Sequence, residues 1–277
     1  MALLGVIFLT GWYQLPRIGA LLILKPLRIE AGIPPPSDAE VLTLQGSNVE
    51  LKAWRLEAEG DFRGTVIYLH GMADSRGSGA GILEDFSSRG FDAVAYDSRA
   101  HGESGGEYCT YGAHEKEDLK RVLDNLKDGP VILLGSSMGA AVALQTAAED
   151  ERVSIVIAAE SFSDLRTVSE ERAPFIFSEK SRERALALAE EMGNFQIDKV
   201  SPLTAATKIS SPTLIIHGEQ DTETPPTHSL KIHEALEGPK KLILVAGAGH
   251  SESLSGTVWN EIYDWIDAHL PNVGNAR

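Results

Sequence analysis

The chain has 277 residues, of which 43% are hydrophobic and 23% are charged, a composition typical of globular proteins that bury a sizeable core. Its formal net charge of −15 disfavours contact with nucleic acid and favours neutral or weakly charged partners. Cys109 is the only cysteine, which excludes an internal disulfide and a cysteine-rich zinc site.

An apolar stretch covers residues 2–24 and is interrupted by Gln14, Pro16 and Arg17. Its unbroken first part is too short to span a bilayer by itself. Neither a basic start nor a clear small-residue cleavage site marks it as a cleaved signal peptide. Three interpretations stay open: a membrane anchor, an interfacial helix, or a helix packed on the domain. Membrane contact through residues 2–24 is therefore one expectation, and a cytoplasmic location is the other.

Three consecutive prolines at residues 34–36 predict a stiff linker after this stretch. We therefore expect residues 1–36 to precede a main domain at residues 37–270, with a short tail at residues 271–277. Residues 40–44 and 49–56 alternate polar and apolar side chains, which predicts an antiparallel hairpin at the edge of a sheet.

Buried strands and helices alternate after this hairpin. Strands alternating with helices predict an α/β fold with a mostly parallel, eight-stranded sheet covered on both faces. The alternation fails between the sixth and seventh strands, where about residues 161–207 predict a small helical cap over the strand ends. The further strands are predicted at residues 65–69, 92–96, 131–134, 154–159, 213–216 and 241–245.

The strand at residues 131–134 leads into the turn Gly-Ser-Ser-Met-Gly at residues 135–139 and then into an alanine-rich stretch. Such a Gly-x-Ser-x-Gly turn holds its serine in a strained conformation above the sheet edge, and the glycines relieve crowding. Ser137 would lie at the positive end of a helix, beside free backbone N–H groups. The pattern predicts a nucleophile elbow, and the alternative is a turn that merely needs small residues.

A second Gly-x-Ser-x-Gly match, at residues 102–106, shows that the motif alone has little specificity. This second match lies several residues past its strand and does not open a helix. Context therefore favours Ser137 over Ser104 as the nucleophile.

A serine nucleophile needs a base, and eight histidines compete for that role. His250 is our prediction, because it follows the last strand in a glycine-rich loop that can reach over the strand ends. His70 and His217 each end a strand before a glycine, where a place in a turn or packing behind the site residues is expected. Four others lie in or near helical stretches predicted to be exposed, where a solvated side chain is the usual outcome: His114, His228, His233 and His269.

The base needs a carboxylate to orient it, and the loop after the seventh strand offers Asp221, with Glu219 and Glu223 as alternatives. The oxyanion of the intermediate needs preorganised donors. The backbone N–H groups of Met138 and Met72 are the two predicted donors. For Met72 the alternative is that it lies in an ordinary turn at the end of a strand, without a role in binding the oxyanion.

With these motifs in place, the chain resembles the α/β-hydrolase superfamily of serine hydrolases over roughly residues 40–270. It is most similar to single-domain, esterase-like members with a hydrophobic N-terminal segment and a short cap. In that family the serine, aspartate and histidine of the matching motifs form a catalytic triad, which supports Ser137, Asp221 and His250. The motifs occur in the family's order: His70-Gly71, residues 97–104, 135–139 and 217–221, and Gly249-His250.

The sequence thus predicts a carboxylic-ester hydrolase that uses no cofactor and no metal and acts on a small-molecule or lipid-like ester. Apolar cap residues are the predicted wall for an acyl or alcohol group, or else they pack the cap on the body. The alternatives are a thioesterase or lysophospholipase acting at a membrane and, in a different class, a ligand-binding module without turnover. The cap residues concerned are Phe162, Phe175, Ile176 and Phe177.

Overall fold

The computed structural model describes residues 14–270. These residues form one eight-stranded sheet in the order β1-β2-β4-β3-β5-β6-β7-β8. Strand β2 is antiparallel to both β1 and β4, and the other neighbouring pairs are parallel, so the predicted mostly parallel sheet with an edge hairpin is confirmed. The strands are β1 (Glu40–Gln45), β2 (Glu50–Leu56), β3 (Gly64–Leu69), β4 (Phe91–Tyr96), β5 (Val131–Ser136), β6 (Val153–Ala159), β7 (Thr213–Gly218) and β8 (Lys240–Val245).

Helices cover both faces of this sheet, as the alternating pattern predicts. One hydrophobic core joins α3, α4 and α8 to the sheet, and a second core on the opposite face joins α2 and α9 to it. The helices are α1 (residues 14–24), α2 (Ala80–Ser88), α3 (Glu115–Leu123), α4 (Met138–Ala147), α5 (Leu165–Glu171), α6 (Glu179–Gly193), α7 (Pro202–Ala206), α8 (Thr227–Ala235) and α9 (Val258–His269).

The central strands are near-continuous apolar runs because both of their faces are covered. Strands β3, β4 and β7 are buried at every residue, whereas edge strand β1 alternates between exposed and half-buried positions. Because β3 to β8 run parallel to one another, their carboxyl ends lie at one edge of the sheet. The loops that leave this edge carry the predicted site residues.

Helices α5, α6 and α7 lie between β6 and β7, within the segment predicted as a cap. The hydroxyl of Ser178 caps α6 by accepting the Ser181 N–H, and Ser201 caps α7 in the same way. A third hydrophobic core joins α5 and α6 to the elbow helix α4 and to α1. The cap is thus packed on the body of the domain through its own core.

Helix α1 packs on the domain. Its residues Ala20 and Leu24 are fully buried, and a Cβ built on Gly19 would lie 2.8 Å from the Cβ of Ala185 in α6. The carbonyl oxygen of Leu24 accepts the N–H of Cys109 at 2.8 Å. Of the three interpretations of the apolar stretch, packing on the domain describes residues 14–24.

The segment after α1 is also bound to the domain. Arg28 donates to the carbonyl oxygens of Gly102, Ser104 and Gly106, at 3.2, 2.6 and 2.6 Å. Within residues 14–270, no helix is long and apolar enough to cross a membrane. Residues 1–13, which include the first half of the stretch predicted to contact a membrane, and the predicted tail at residues 271–277 lie outside the described residues.

Candidate active site

Ser137 stands between β5 and α4, as the elbow pattern predicts. Its backbone has φ 50° and ψ −112°, a conformation that costs a residue with a side chain on the order of 1–3 kcal/mol. Its N–H donates to the carbonyl oxygen of Ala159 on β6 at 2.8 Å, which fixes the turn to the neighbouring strand. The side chain is consequently presented above the sheet edge.

The two glycines of the turn are required by close packing. A Cβ on Gly139 would lie 2.0 Å from the carbonyl oxygen of Leu69, and one on Gly135 would lie 2.4 Å from the carbonyl carbon of Gly139. No side chain fits at such distances. The predicted relief of crowding is therefore the reason for glycine at both positions.

The structure brings Ser137, His250 and Asp221 together. The Nε2 atom of His250 lies 3.0 Å from the Oγ atom of Ser137, and its Nδ1 atom lies 2.6 Å from Oδ2 of Asp221. The serine hydroxyl can donate to Nε2 while the Nδ1–H donates to the carboxylate. Glu219 and Glu223 are exposed, and within residues 14–270 neither side chain makes a hydrogen bond to His250.

Asp221 is held as an ionised, oriented carboxylate. Its Oδ1 atom accepts the backbone N–H groups of Glu223 and Thr224 at 2.9 and 2.8 Å. Burial raises the pKa of this carboxyl, but hydrogen bonds from His217, His250 and the Thr224 N–H outweigh burial, so the pKa lies well below its ordinary value.

His217 is a second histidine on the same carboxylate; packing behind the site was expected of it, but contact with Asp221 was not. Its Nε2–H donates to the carbonyl oxygen of Thr224 at 2.7 Å and lies 3.2 Å from Oδ2 of Asp221, while Nδ1 accepts the hydroxyl of Ser229 at 2.6 Å. A carbonyl oxygen only accepts, so the proton is on Nε2. The signal available in the sequence was the four-residue spacing between His217, near the end of β7, and Asp221 in the loop that follows.

Glu160 supports the loop that carries His250. Its carboxylate accepts the backbone N–H groups of Ser251 and Ser253 at 2.6 and 3.0 Å. Burial lowers the pKa of His250, but the hydrogen bond and charge of Asp221, together with the charge of Glu160, outweigh burial and raise that pKa above its ordinary value. Sequence reasoning missed Glu160, although it directly follows β6 at the carboxyl edge of the sheet.

The predicted oxyanion donors flank Ser137. Met138 is the first residue of α4, and Met72 borders the same cavities as Ser137. The Ser98 N–H donates to Nε2 of His70, so Nδ1 carries the proton and donates to the carbonyl oxygen of Gly71 at 2.7 Å. In a planar trans peptide, the following N–H then points away from His70.

Gly71, the glycine before Met72, is loosely packed. A Cβ on Gly71 would lie 3.6 Å from the Cβ of Ser137, an ordinary contact distance. Space alone therefore does not require a glycine at this position.

Two of the four predicted substrate-binding residues lie at a cavity beside Ser137. This apolar cavity of about 320 Å³ is lined by Phe162 and Phe177 and lies between Ser137, the cap and α1. Phe175 and Ile176 are 97% and 51% exposed and do not line it, because the chain turns between Pro174 and Phe177 and directs the two middle side chains outward. Their positions do not favour the predicted binding role.

A second, polar cleft of about 680 Å³ also borders Ser137 and is lined by His250 and Glu160. Arg172, at the end of α5, borders both the apolar cavity and this polar cleft. Its Nε–H donates to the carbonyl oxygen of Glu223 at 2.9 Å, and its guanidinium group also bonds the hydroxyl of Thr224. Arg172 thereby ties the cap to the loop of Asp221, a link that no local sequence pattern indicates.

Ser104 has a structural position. It is buried, its Oγ–H donates to the carbonyl oxygen of Asp97 at 2.6 Å, and its Oγ accepts the N–H of Lys52 at 2.9 Å. Both hydrogen bonds are to backbone, and within residues 14–270 no histidine hydrogen-bonds to this hydroxyl.

The expectation of a solvated side chain at His228 was wrong. The residue is 1% exposed, because α8 turns this face onto the loop after β6. Its Nδ1 accepts the Ser163 N–H at 3.1 Å, and its Nε2–H donates to the carboxylate of Glu171 at 2.8 Å. It thus ties α5 to α8.

Comparison with known proteins agrees with this architecture. A family model described as alpha/beta hydrolase fold matches residues 64–195. The chain is 30% identical over 206 residues to the uncharacterized protein YqkD of Bacillus subtilis (strain 168), covering 70% of this chain and 67% of YqkD. It is 24% identical over 215 residues to human alpha/beta hydrolase domain-containing protein 17B, covering 76% of this chain and 68% of that protein.

Solved structures give the same fold. An esterase of Pyrococcus furiosus, Pf2001, superposes with a TM-score of 0.71 at 23% identity, over 90% of this chain and 98% of that chain. The sheet order, the strained serine between β5 and α4, the family model and the relative from Bacillus subtilis lead to one conclusion. The chain belongs to the α/β-hydrolase family.

Proposed function

We propose that the protein hydrolyses carboxylic esters through an acyl-enzyme intermediate on Ser137. The observation that carries this proposal is the hydrogen-bonded array of Ser137, His250 and Asp221 at the carboxyl edge of the sheet. Such an array supplies a nucleophile, a base and a group that orients the base, which are the parts that acyl transfer requires.

In the first half-reaction, His250 takes the hydroxyl proton through Nε2 as the Oγ atom of Ser137 attacks the ester carbonyl carbon. The carbonyl oxygen becomes an oxyanion, to which the N–H groups of Met72 and Met138 donate. The imidazolium, stabilised by Asp221, then protonates the leaving alkoxide as the carbon–oxygen bond breaks. An acyl-serine and a free alcohol result.

In the second half-reaction, His250 takes a proton from water as the water oxygen attacks the acyl carbon. The second tetrahedral intermediate collapses, and Ser137 leaves with the proton returned by the histidine. The products are a carboxylic acid and the free enzyme, so no metal or cofactor enters these steps.

A thioesterase or lysophospholipase acting at a membrane is the second candidate. The apolar cavity beside Ser137 suits the acyl chain of a thioester or lysolipid as well as that of a simple ester. Contact of residues 2–24 with a membrane would favour this candidate, and co-sedimentation with phosphatidylcholine vesicles measures such contact. A ligand-binding module without turnover has less support, because the array leaves the serine hydroxyl beside a base.

The test is hydrolysis of p-nitrophenyl butyrate, with an acyl thioester and a lysophosphatidylcholine assayed in parallel. We expect the wild type to turn over the ester and Ser137→Ala to reduce its turnover at least 1,000-fold, since loss of a nucleophile leaves only the residual effect of the oxyanion hole. Ser104→Ala is the matched control and keeps activity. Turnover by Ser137→Ala equal to the wild type would exclude the proposed nucleophile.

A further inference from the structure

We propose that helix α1 forms a wall of the acyl-binding site and that Leu22 limits the length of the acyl chain. This inference rests on the proposed ester hydrolysis and names the substrate class: esters of medium-length apolar acids. It assigns a role in substrate selection to the N-terminal segment.

The first step is to decide which side of Ser137 takes the acyl group. His250 must protonate the leaving group, so the leaving group lies on the side of the serine where the imidazole stands. His250 lines the polar cleft and does not line the apolar cavity. The acyl chain therefore enters the apolar cavity.

The interior of this cavity suits a hydrocarbon chain. Its inner surface is formed by buried apolar side chains of the cap and of the loop before it: Phe162, Leu165, Val168 and Leu186. Two arginines of the cap also border it, Arg172 and Arg182, and neither is buried. Each methylene that enters should raise kcat/KM by roughly fourfold until the cavity is full.

Another part of the wall belongs to α1, which contributes Gly19, Leu22 and Ile23. The absence of a side chain at Gly19 lets α1 approach α6, because a Cβ there would lie 2.8 Å from the Cβ of Ala185 and 2.9 Å from a ring carbon of Phe177. The small residues Gly19 and Ala185 thus allow α1 to pack directly on the cap.

This wall is fixed to the body of the domain. The hydroxyl of Tyr111 donates to the carbonyl oxygen of Ile23 at 2.9 Å, and the next carbonyl, that of Leu24, accepts the N–H of Cys109. The carboxyl end of α1 therefore cannot move away without breaking two hydrogen bonds. A chain that fills the cavity meets α1 as a rigid boundary.

Leu22 stands where this boundary meets solvent. It lines the cavity and yet is 63% exposed, so it lies at the mouth, where a longer chain would have to pass. Ile18 lies one turn earlier on the same helix and is 46% exposed, but it does not line the cavity. The two residues form a matched pair for substitution, because changing either leaves the buried core intact.

The experiment compares Leu22→Trp with Ile18→Trp on p-nitrophenyl acetate, butyrate, octanoate and dodecanoate. We expect the ratio of kcat/KM for octanoate to that for acetate to fall at least tenfold in Leu22→Trp and to stay within twofold of wild type in Ile18→Trp. Leu22→Ala should move the preferred chain length upward. Thermal melting verifies that the three variants are folded.

A binding measurement separates this inference from the proposed function. Calorimetric titration with octanamide, which carries the chain but no ester, should give at least tenfold weaker binding in Leu22→Trp than in Ile18→Trp. An unchanged chain-length profile together with unchanged octanamide binding in Leu22→Trp overturns the role of α1. Loss of octanamide binding in Leu22→Trp, with no ester hydrolysed by the wild type, supports the acyl site and overturns the hydrolase.

Discussion

The geometry around Asp221 makes Asp221→Asn an informative substitution. In the wild type, Oδ1 accepts two backbone N–H groups and Oδ2 accepts the Nδ1–H of His250. The amide oxygen of an asparagine will keep the two backbone donors, so its NH₂ group faces the imidazole. His250 must then accept at Nδ1 and carry its proton on Nε2, which points at Ser137 and cannot act as a base.

The magnitude follows from the alternative amide orientation. Turning the amide to restore the correct imidazole tautomer would leave two buried backbone N–H groups facing an NH₂ group. Each N–H group would then lack an acceptor, at a free-energy cost of about 1–3 kcal/mol. A penalty of about 2–6 kcal/mol corresponds to a rate loss between roughly thirtyfold and 10⁴-fold. We expect kcat of Asp221→Asn to fall within this range while KM changes little.

The assay is steady-state hydrolysis of p-nitrophenyl butyrate, with Glu223→Gln as the matched control. Glu223 lies in the same loop and contributes only its backbone to the contacts of Asp221 and Arg172, so its side chain should be replaceable within about twofold. A kcat for Asp221→Asn within threefold of wild type would refute the assignment. A large loss in Glu223→Gln would transfer the acid role to that residue.

Activity should rise with pH across the pKa of His250, because only the neutral imidazole is a base, and the midpoint should lie above 6.5 since the net shift is upward. Glu160→Gln removes a nearby negative charge, so the midpoint of its pH–rate profile should move to lower pH; an unmoved or higher midpoint contradicts this. Ser104→Ala should lower the free energy of unfolding by about 1–3 kcal/mol in denaturant titrations and leave kcat unchanged. Gly139→Ala should lower the melting temperature and the activity together, because its Cβ would lie 2.0 Å from the carbonyl oxygen of Leu69, and a variant with wild-type stability would show that the turn relaxes.

Features within a few residues of one another could be predicted from the sequence. The buried strands appear as short runs of β-branched and leucine side chains, and the turn at residues 135–139 carries glycines where packing leaves no room. Ser137 and His250 follow parallel strands, so the strand pattern predicts that both residues lie at the same edge of the sheet. Local patterns and the parallel direction of the strands are sufficient for these elements.

Contacts between distant loops could not be predicted in this way. Arg172 reaches the backbone of Glu223, 51 residues away, through the placement of the whole cap, which no local pattern encodes. The same holds for the packing of Gly19 on α6. Phe175 and Phe177 are equally apolar in sequence, and only the turn between Pro174 and Phe177 decides which of them faces the cavity.

The central claim, that Ser137 is the nucleophile, is tested most directly by mass spectrometry of the protein after reaction with a fluorophosphonate. We predict a single adduct on the peptide that contains Ser137, formed by the wild type and by Ser104→Ala but not by a folded Ser137→Ala variant. Absence of any adduct on the folded wild type, or an adduct on another residue that persists in Ser137→Ala, would contradict the account.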